Sequence, residues 1–386
     1  MARLARRSGV AGGRSPRVIE SRTEANERFF GEEAERIAEL SLRLAERFVA
    51  GGRLLAVADE PSDRSDAHHV AVEFVHPVIV GKRALPALAL RSDQLGRLVE
   101  PGDAVIGFGI RAPTPSGCLT IGFDPATGAE WSFDPGVADR FVRQELIETL
   151  YHVLWETVHV FLDHLGSSES GAGTSRFLYP FLERGGGDTE AVRADVAASI
   201  LVKAREIGEL RERTVDDGAG VAAVGDALRR CVDGGGKLLA FGNGGSATDA
   251  MDVVADLERL GHKALDLTAD SSILTALAND VGSEVLFQRQ IIAHGRVGDV
   301  ALALSTSGGS SNILLALEEA RKRGLETVAI VGYDGGRIAA EKLADHVIVA
   351  PSEYIPRIQE AHATVYHLVC DQVAAARGSR PTAIYA

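Results

Sequence analysis

Short apolar runs bounded by glycine or charge recur along the chain. The first half carries LLAVAD from Leu54, AVIGFG from Ala104 and LTIGF from Leu119. The second half carries LLAFG from Leu238, KALDL from Lys263, VALAL from Val300, TVAIVG from Thr327 and HVIVA from His346. Their shortness and bounding turns read as buried strands. Stretches of helical period separate most of them, the signature of a parallel sheet covered by helices on both faces. Residues 166–188 are rich in Gly and Ser and read as a linker. From Thr189 a long helical pattern follows, with Val196, Ile200, Leu201, Ala204 and Ile207 spaced to pack against a partner helix.

The two halves repeat one another. LAERFVAGGRLLAVAD from Leu44 matches LRRCVDGGGKLLAFGN from Leu228, and DAHHVAVE from Asp66 matches DAMDVVAD from Asp249. PGDAVIGFG pairs with VGDVALALS, and CLTIGFDPATG with TVAIVGYDGG. RQELIETLYHV from Arg143 lies opposite IQEAHATVYHL from Ile358, with Gln, Glu, Tyr and His at the same offsets. Five matches in one order predict two domains of one fold. The first is shortened by a helix, because nothing there answers SSNILLALEEARKRG of the second.

Composition narrows the function. A chain of 386 residues, 45% hydrophobic, is long enough for two cores. A net charge of −13 opposes nucleic-acid binding, since only a short basic head (Arg3, Arg6, Arg7, Arg14, Arg17) could offset phosphate repulsion. Residues 1–20 read as a disordered tail, residues 21–165 as the first domain and residues 189–386 as the second. No apolar run approaches membrane-spanning length, and Cys118, Cys231 and Cys370 lack metal spacing. A cytoplasmic protein without membrane or nucleic-acid partners is expected.

Two loops of the second half carry the chemistry. FGNGGSATDA, from Phe241 to Ala250, joins a strand to a helix through glycines that let backbone approach an anion. STSGGSSN, from Ser305 to Asn312, sets hydroxyls and free N–H groups at the end of another strand, where doubly wound sheets bind ligands. Neither loop carries the Gly-Lys-Ser/Thr ending of a nucleotide loop.

With DSSILTALANDVG, FQRQI, GRVGDV and RIQEAHATVYHLVCD, these loops make the second half resemble the sugar isomerase (SIS) domain, within it the phosphoheptose isomerases. The first half is similar to a degenerate copy of the same domain. The resemblance implies two flavodoxin-like parallel sheets. It also implies substrate contacts from Asn243, Gly244, Gly245, Ser246, Asn279, Asp280, Ser305, Thr306, Ser307, Ser310 and Gln359.

The family holds a divalent metal, often zinc, through His and Glu four residues apart on one helix, with a later Gln and His. In the second half the helix positions are Asp252 and Asp256, while Gln359 and His367 remain. The first half instead keeps all four types, as His69, Glu73, Gln144 and His152. Its own loops, ADEPSDRSDA and GIRAPTPSG, lack the phosphate-binding wording, and the former puts acids where an anion would sit. The resemblance therefore implies complementary halves, a metal cluster on the first and a phosphate cradle on the second. Gln144 and His152 would span about 12 Å of an ideal helix, a long reach for one ion.

The reaction implied is aldose–ketose isomerisation of sedoheptulose 7-phosphate to D-glycero-D-manno-heptose 7-phosphate through an enediol. Glu73 or Asp256 stands as base and His152 or His367 as acid. A non-catalytic sugar-phosphate sensor or protein-binding module is the alternative. The family's symmetric assemblies imply a homo-oligomer, a dimer of two-domain chains.

Overall fold

The computed structural model describes residues 15–77, 82–111, 114–165, 189–215 and 218–376. The linker 166–188 and the tail up to residue 14 lie outside the described residues. The remainder of the expected tail is not tail: α1 (Ser15–Val49) begins at Ser15 and leads into the first domain.

In the first half, α1 is followed by β1 (Leu54–Val57), α2 (Pro61–Val75), β2 (Ala87–Leu90), α3 (Ser92–Leu98), β3 (Ala104–Gly107), β4 (Leu119–Gly122), β5 (Trp131–Ser132) and α4 (Arg140–Leu165). The second half opens with α5 (Thr189–Thr214), α6 (Ala219–Asp233), β6 (Leu238–Phe241), α7 (Gly245–Arg259), β7 (Ala264–Asp266), α8 (Ser271–Asp280) and α9 (Leu286–His294). It closes with β8 (Val300–Ser305), α10 (Ser311–Lys322), β9 (Glu326–Gly332), α11 (Gly336–Ala340), β10 (His346–Ala350) and α12 (Ile355–Ala376).

Both sheets have five strands, in the orders β2-β1-β3-β4-β5 and β10-β9-β8-β6-β7, and every pairing is parallel. Counted within each half, both read 2-1-3-4-5, the flavodoxin-like order. The shortening is where the sequence puts it: β3 runs to β4 with no helix among the described residues, whereas α10 joins β8 to β9. The edge strand β5 escaped the sequence pattern, being too short to show alternation.

The repeat reaches atomic detail. A Cβ on Gly52 would meet Gly102 O at 2.4 Å, and one on Gly236 would meet Gly298 O at 2.3 Å. In both halves an aspartate then caps the incoming strand: Arg53 N–H donates to Asp103 Oδ1 and Lys237 N–H to Asp299 Oδ1, each at 3.0 Å. Only glycine tolerates so close a backbone approach.

Packing crosses the sequence boundary between the halves. Val192, Val196, Ala197, Ile200 and Ala204 of α5 join the apolar core of the first domain, against α1 and α4. Ile19 and Phe141 of the first half join the core beneath the second sheet. The partner helix anticipated for α5 is α1. No helix among the described residues is long and apolar enough to cross a membrane.

Candidate functional site

The helix after each first strand, α2 and α7, packs against its counterpart, and the last helices α4 and α12 also meet. This pseudo-twofold contact builds two buried clusters that use residues from both halves.

The first cluster gathers His69 from α2, His152 and Glu148 from α4, and Gln359 and Glu360 from α12. His69 Nε2 and His152 Nε2 face each other at 3.2 Å. His152 Nδ1 lies 2.9 Å from Glu360 Oε1, and His69 Nδ1 lies 3.1 Å from Tyr151 Oη, which in turn reaches Asp66 Oδ1 at 3.3 Å. Acceptors stand beside both Nδ1 atoms, so the tautomer protonated at Nδ1, which turns the Nε2 lone pairs inward as metal-ligating histidines require, is open to both rings. Glu73 Oε1 approaches His69 Nε2 at 3.9 Å.

Gly245, at the first turn of α7, ties this cluster to the glycine-rich loop. A Cβ there would fall 1.8 Å from Gln359 Nε2 and 2.8 Å from His69 Nε2. The metal-type residues of the first half therefore sit against the phosphate-type loop of the second. Gln144 does not join His69 and His152, contrary to the ligand set that the family resemblance implied and in line with the long reach read from the spacing of Gln144 and His152. Its amide instead donates to Asp252 Oδ1 at 3.0 Å, in the other cluster. The glutamine beside the two histidines is Gln359, because each last helix crosses the pseudo-dyad and delivers its glutamine to the opposite half.

Residues of this cluster fit a divalent ion. Its donors are two imidazole nitrogens, carboxylates and an amide oxygen, a set that zinc and similar cations accept. Glu73 Oε2, Glu148 Oε1 and Gln359 Oε1 are buried without a hydrogen-bond partner, and such orphaned acceptors are costly. Burial, with Glu156 nearby, pushes the Glu73 carboxyl up to about 8. Burial and then the Arg357 guanidinium push His152 down to about 3, and burial followed by His152 pushes His69 well down. Neutral imidazoles beside anion-averse carboxyls are the condition a cation relieves.

The second cluster is the pseudo-symmetric counterpart, and Asp252, Asp256 and His367 also bring one ligand atom each within 4.8 Å of one another, with Asp256 Oδ2 and His367 Nε2 buried without a hydrogen-bond partner. Asp252 and Asp256 of α7 face His367 Nε2 at 3.4 and 3.8 Å, and Tyr366 Oη donates to Asp252 Oδ2 at 2.9 Å. Arg140 donates to Asp256, bringing a guanidinium onto the carboxylate that stands at the position of Glu73, whereas in the first cluster the guanidinium of Arg357 pairs with Glu360 behind His152. His367 Nδ1 pairs with Glu145 Oε1 at 3.1 Å. Although burial opposes the charge, the adjacent Asp252 carboxylate and the hydrogen bond to Glu145 raise His367 to about 9. On the loop side, Ser62 stands at the position of Gly245 and accepts from Arg259, while burial and neighbouring Glu60 lift Asp63 to about 6. The acids of this loop, Glu60 and Asp63, oppose an anion there.

The two phosphate-type loops of the second half are joined. Asn243 and Asn312 exchange amide hydrogen bonds at 3.0 and 2.9 Å. Gly244 takes φ 59°, which turns the chain into α7, and Ser246 is buried behind it. Ser305 Oγ accepts from Gly308 N–H at 3.1 Å and shapes the turn, leaving Thr306 half-buried and Ser307 exposed. Ser310 caps α10 by position and makes no side-chain cap bond. Asn279 and Asp280 lie apart, exposed at the end of α8 and bonded to each other at 2.7 Å.

Sequence reasoning missed Glu148, Glu360, Asn312 and Arg140. Glu148 had a readable signal, one helical turn before His152 on the same face. The others depend on contacts between segments far apart in sequence.

Fold and site together define a protein of two SIS-type α/β domains packed across a pseudo-dyad. Residues 204–332 match the SIS domain family. The phosphoheptose isomerase of Paramagnetospirillum magneticum is 45% identical over 181 residues, covering 44% of this chain and 93% of that protein. That of Geobacter sulfurreducens is 43% identical over 186 residues, 46% of this chain and 95% of its own length. The chain belongs to the phosphoheptose isomerase family, which accounts for about half of its length. Among solved structures, the C-terminal domain of glucosamine-fructose-6-phosphate aminotransferase from Francisella tularensis aligns over 97% of this chain and 99% of its own, with TM-score 0.61 at 10% identity. Tagatose-6-phosphate ketose/aldose isomerase from Escherichia coli aligns over 97% of both chains, with TM-score 0.53 at 13% identity. At such identities the likeness is one of fold, and it extends to both domains.

Proposed function

We propose that this chain is a metal-dependent aldose–ketose isomerase for sedoheptulose 7-phosphate, with one composite active site. The observation that carries the proposal is the position of Gly245, which sets the phosphate-type loop of the second half directly against His69 of the first and Gln359. Relatives named phosphoheptose isomerase support the substrate.

His69, His152 and Gln359 would hold the ion, zinc or another divalent cation. When bound, it would supply positive charge to the oxygens of the developing enediol. Glu73 takes the carbon-bound proton from one of C1 and C2 and returns it to the other. Its buried setting makes the carboxylate a stronger base than an exposed glutamate. The low proton affinity of His152 suits a lone-pair donor better than the acid first envisaged for it. Ser305, Thr306, Ser307 and Ser310, with Asn243 to Ser246, grip the phosphate and orient the sugar. Asp256 and His367, the other candidate acid–base pair, are committed to Arg140 and Glu145 and have no part in this reading.

A dimer of two-domain chains belongs to the same proposal. It is supported by α8, none of whose side chains is buried although it carries Ile273, Leu274 and Leu277.

The test is incubation with sedoheptulose 7-phosphate, following aldose formation with and without chelator. Formation that a chelator stops and zinc restores is expected. Absence of turnover despite sugar-phosphate binding would favour the sensor reading instead.

A further inference from the structure

We propose that Glu148 is the carboxylate ligand of this metal centre, leaving Glu73 free to act as the base. The inference rests on the metal-dependent reading above and assigns a residue outside the family's His, Glu, Gln and His pattern.

Geometry comes first. One ligand atom each from His69, Glu148 and His152 lies within 4.8 Å of the others, close enough to share a single ion. Glu73 is not part of that group, although its Oε1 reaches His69 Nε2 at 3.9 Å. Glu148 and His152 stand one turn apart on α4, so the helix itself presents both to one point.

Glu148 is also in need of a cation. It is 4% exposed, and its Oε1 is buried without a partner. Burial and the surrounding carboxylates Asp249, Glu360, Asp66 and Asp252 all oppose its ionisation. An acid held in so anionic a pocket gains most from an ion of double charge.

The pseudo-symmetric cluster supplies the contrast. Aligning Gln144 with Gln359 sets Glu148 opposite Ala363. There Asp252 and Asp256 supply the carboxylates from α7, and the guanidinium of Arg140 pairs with Asp256. A carboxylate one turn before the histidine of the last helix is present only in α4.

This division of labour has chemical sense. A carboxylate that gives its lone pair to a metal loses basicity, so a separate ligand keeps Glu73 able to take a carbon-bound proton.

The experiment is a zinc and cobalt titration of the full chain against a competing chelator, with metal content measured on the same samples. Glu148→Gln should weaken the affinity about tenfold or more, as loss of a ligand does, while Glu73→Gln should change it less than about threefold and keep the ion. Glu148→Ala guards against misfolding: removing an unpaired buried acid should leave the metal-free melting temperature no lower than wild type, yet abolish most of the rise that zinc produces. Tight binding by both Glu148 variants, or loss of the ion from Glu73→Gln, overturns the assignment alone. A wild-type chain that binds no divalent ion overturns both the assignment and the metal-dependent reading beneath it.

Discussion

His69 Nε2 lies 3.2 Å from His152 Nε2, with both opposite ring nitrogens already partnered. With both rings protonated at Nδ1 the two Nε2 lone pairs point at one another, an arrangement that a cation between them stabilises. His69→Ala should therefore abolish tight zinc binding. It should also lower isomerase kcat by about 100-fold or more, the scale on which removing a transition-state charge partner acts. Equilibrium dialysis and a coupled aldose assay check the two effects.

Glu73 is assigned the proton transfer. Glu73→Gln keeps the shape of the side chain and removes the base, so kcat should fall by about 10²–10⁴-fold with KM little changed. Solvent deuterium incorporation at the exchanging carbon, measured on the recovered sugar, should fall with it.

The double change Thr306→Ala with Ser307→Ala removes hydroxyls from the phosphate turn. Charge-assisted hydrogen bonds contribute about 1.5–3 kcal/mol each, so KM should rise at least tenfold. Inorganic phosphate should also lose its power to inhibit. Unchanged saturation would contradict the assignment of this turn.

Arg140 and Asp256 test whether the second cluster is structural. Arg140→Met leaves a buried carboxylate without its cation, which costs on the order of 1–3 kcal/mol at this half-exposed arginine. The melting temperature should fall while kcat and KM stay within about twofold. A matching loss of turnover would make that cluster catalytic.

The same cluster sets a pH dependence. His367 is raised from its ordinary 6.5 to about 9 by Asp252 and Glu145, so the folded chain binds this proton more tightly than the unfolded one. Its stabilisation is complete below about pH 6.5 and is lost as pH rises through about 9. Urea unfolding at pH 6.5 and 9.5 should show wild type losing about 1–3 kcal/mol more than His367→Gln does.

Light scattering at micromolar concentration should give twice the mass of the chain. Ile273→Asp, at an exposed apolar position of α8, should halve it without altering the far-ultraviolet spectrum.

The fold was legible because it depends on local signals. Apolar runs such as VALAL and TVAIVG, ended by glycine turns, specify buried parallel strands wherever they occur. A repeat of those runs in the same order specifies the same sheet twice. β5 was not legible, since Trp131–Ser132 is held by pairing with Ile121 and Gly122 rather than by any pattern of its own. Residues 15–20 read as tail because their helix draws its stability from α4 and α5.

The residues of the site were legible as types and not as a set. The sequence by itself determined that histidines and a glutamate stand in one half and phosphate loops in the other, because each motif is a short local string. Only the tertiary structure decided that they meet, that Gln359 and not Gln144 stands beside His69, and that Arg140 closes the second cluster. The reason is physical: those choices follow from how α4 and α12 cross the pseudo-dyad, an arrangement fixed by the packing of whole helices and recorded in no local spacing.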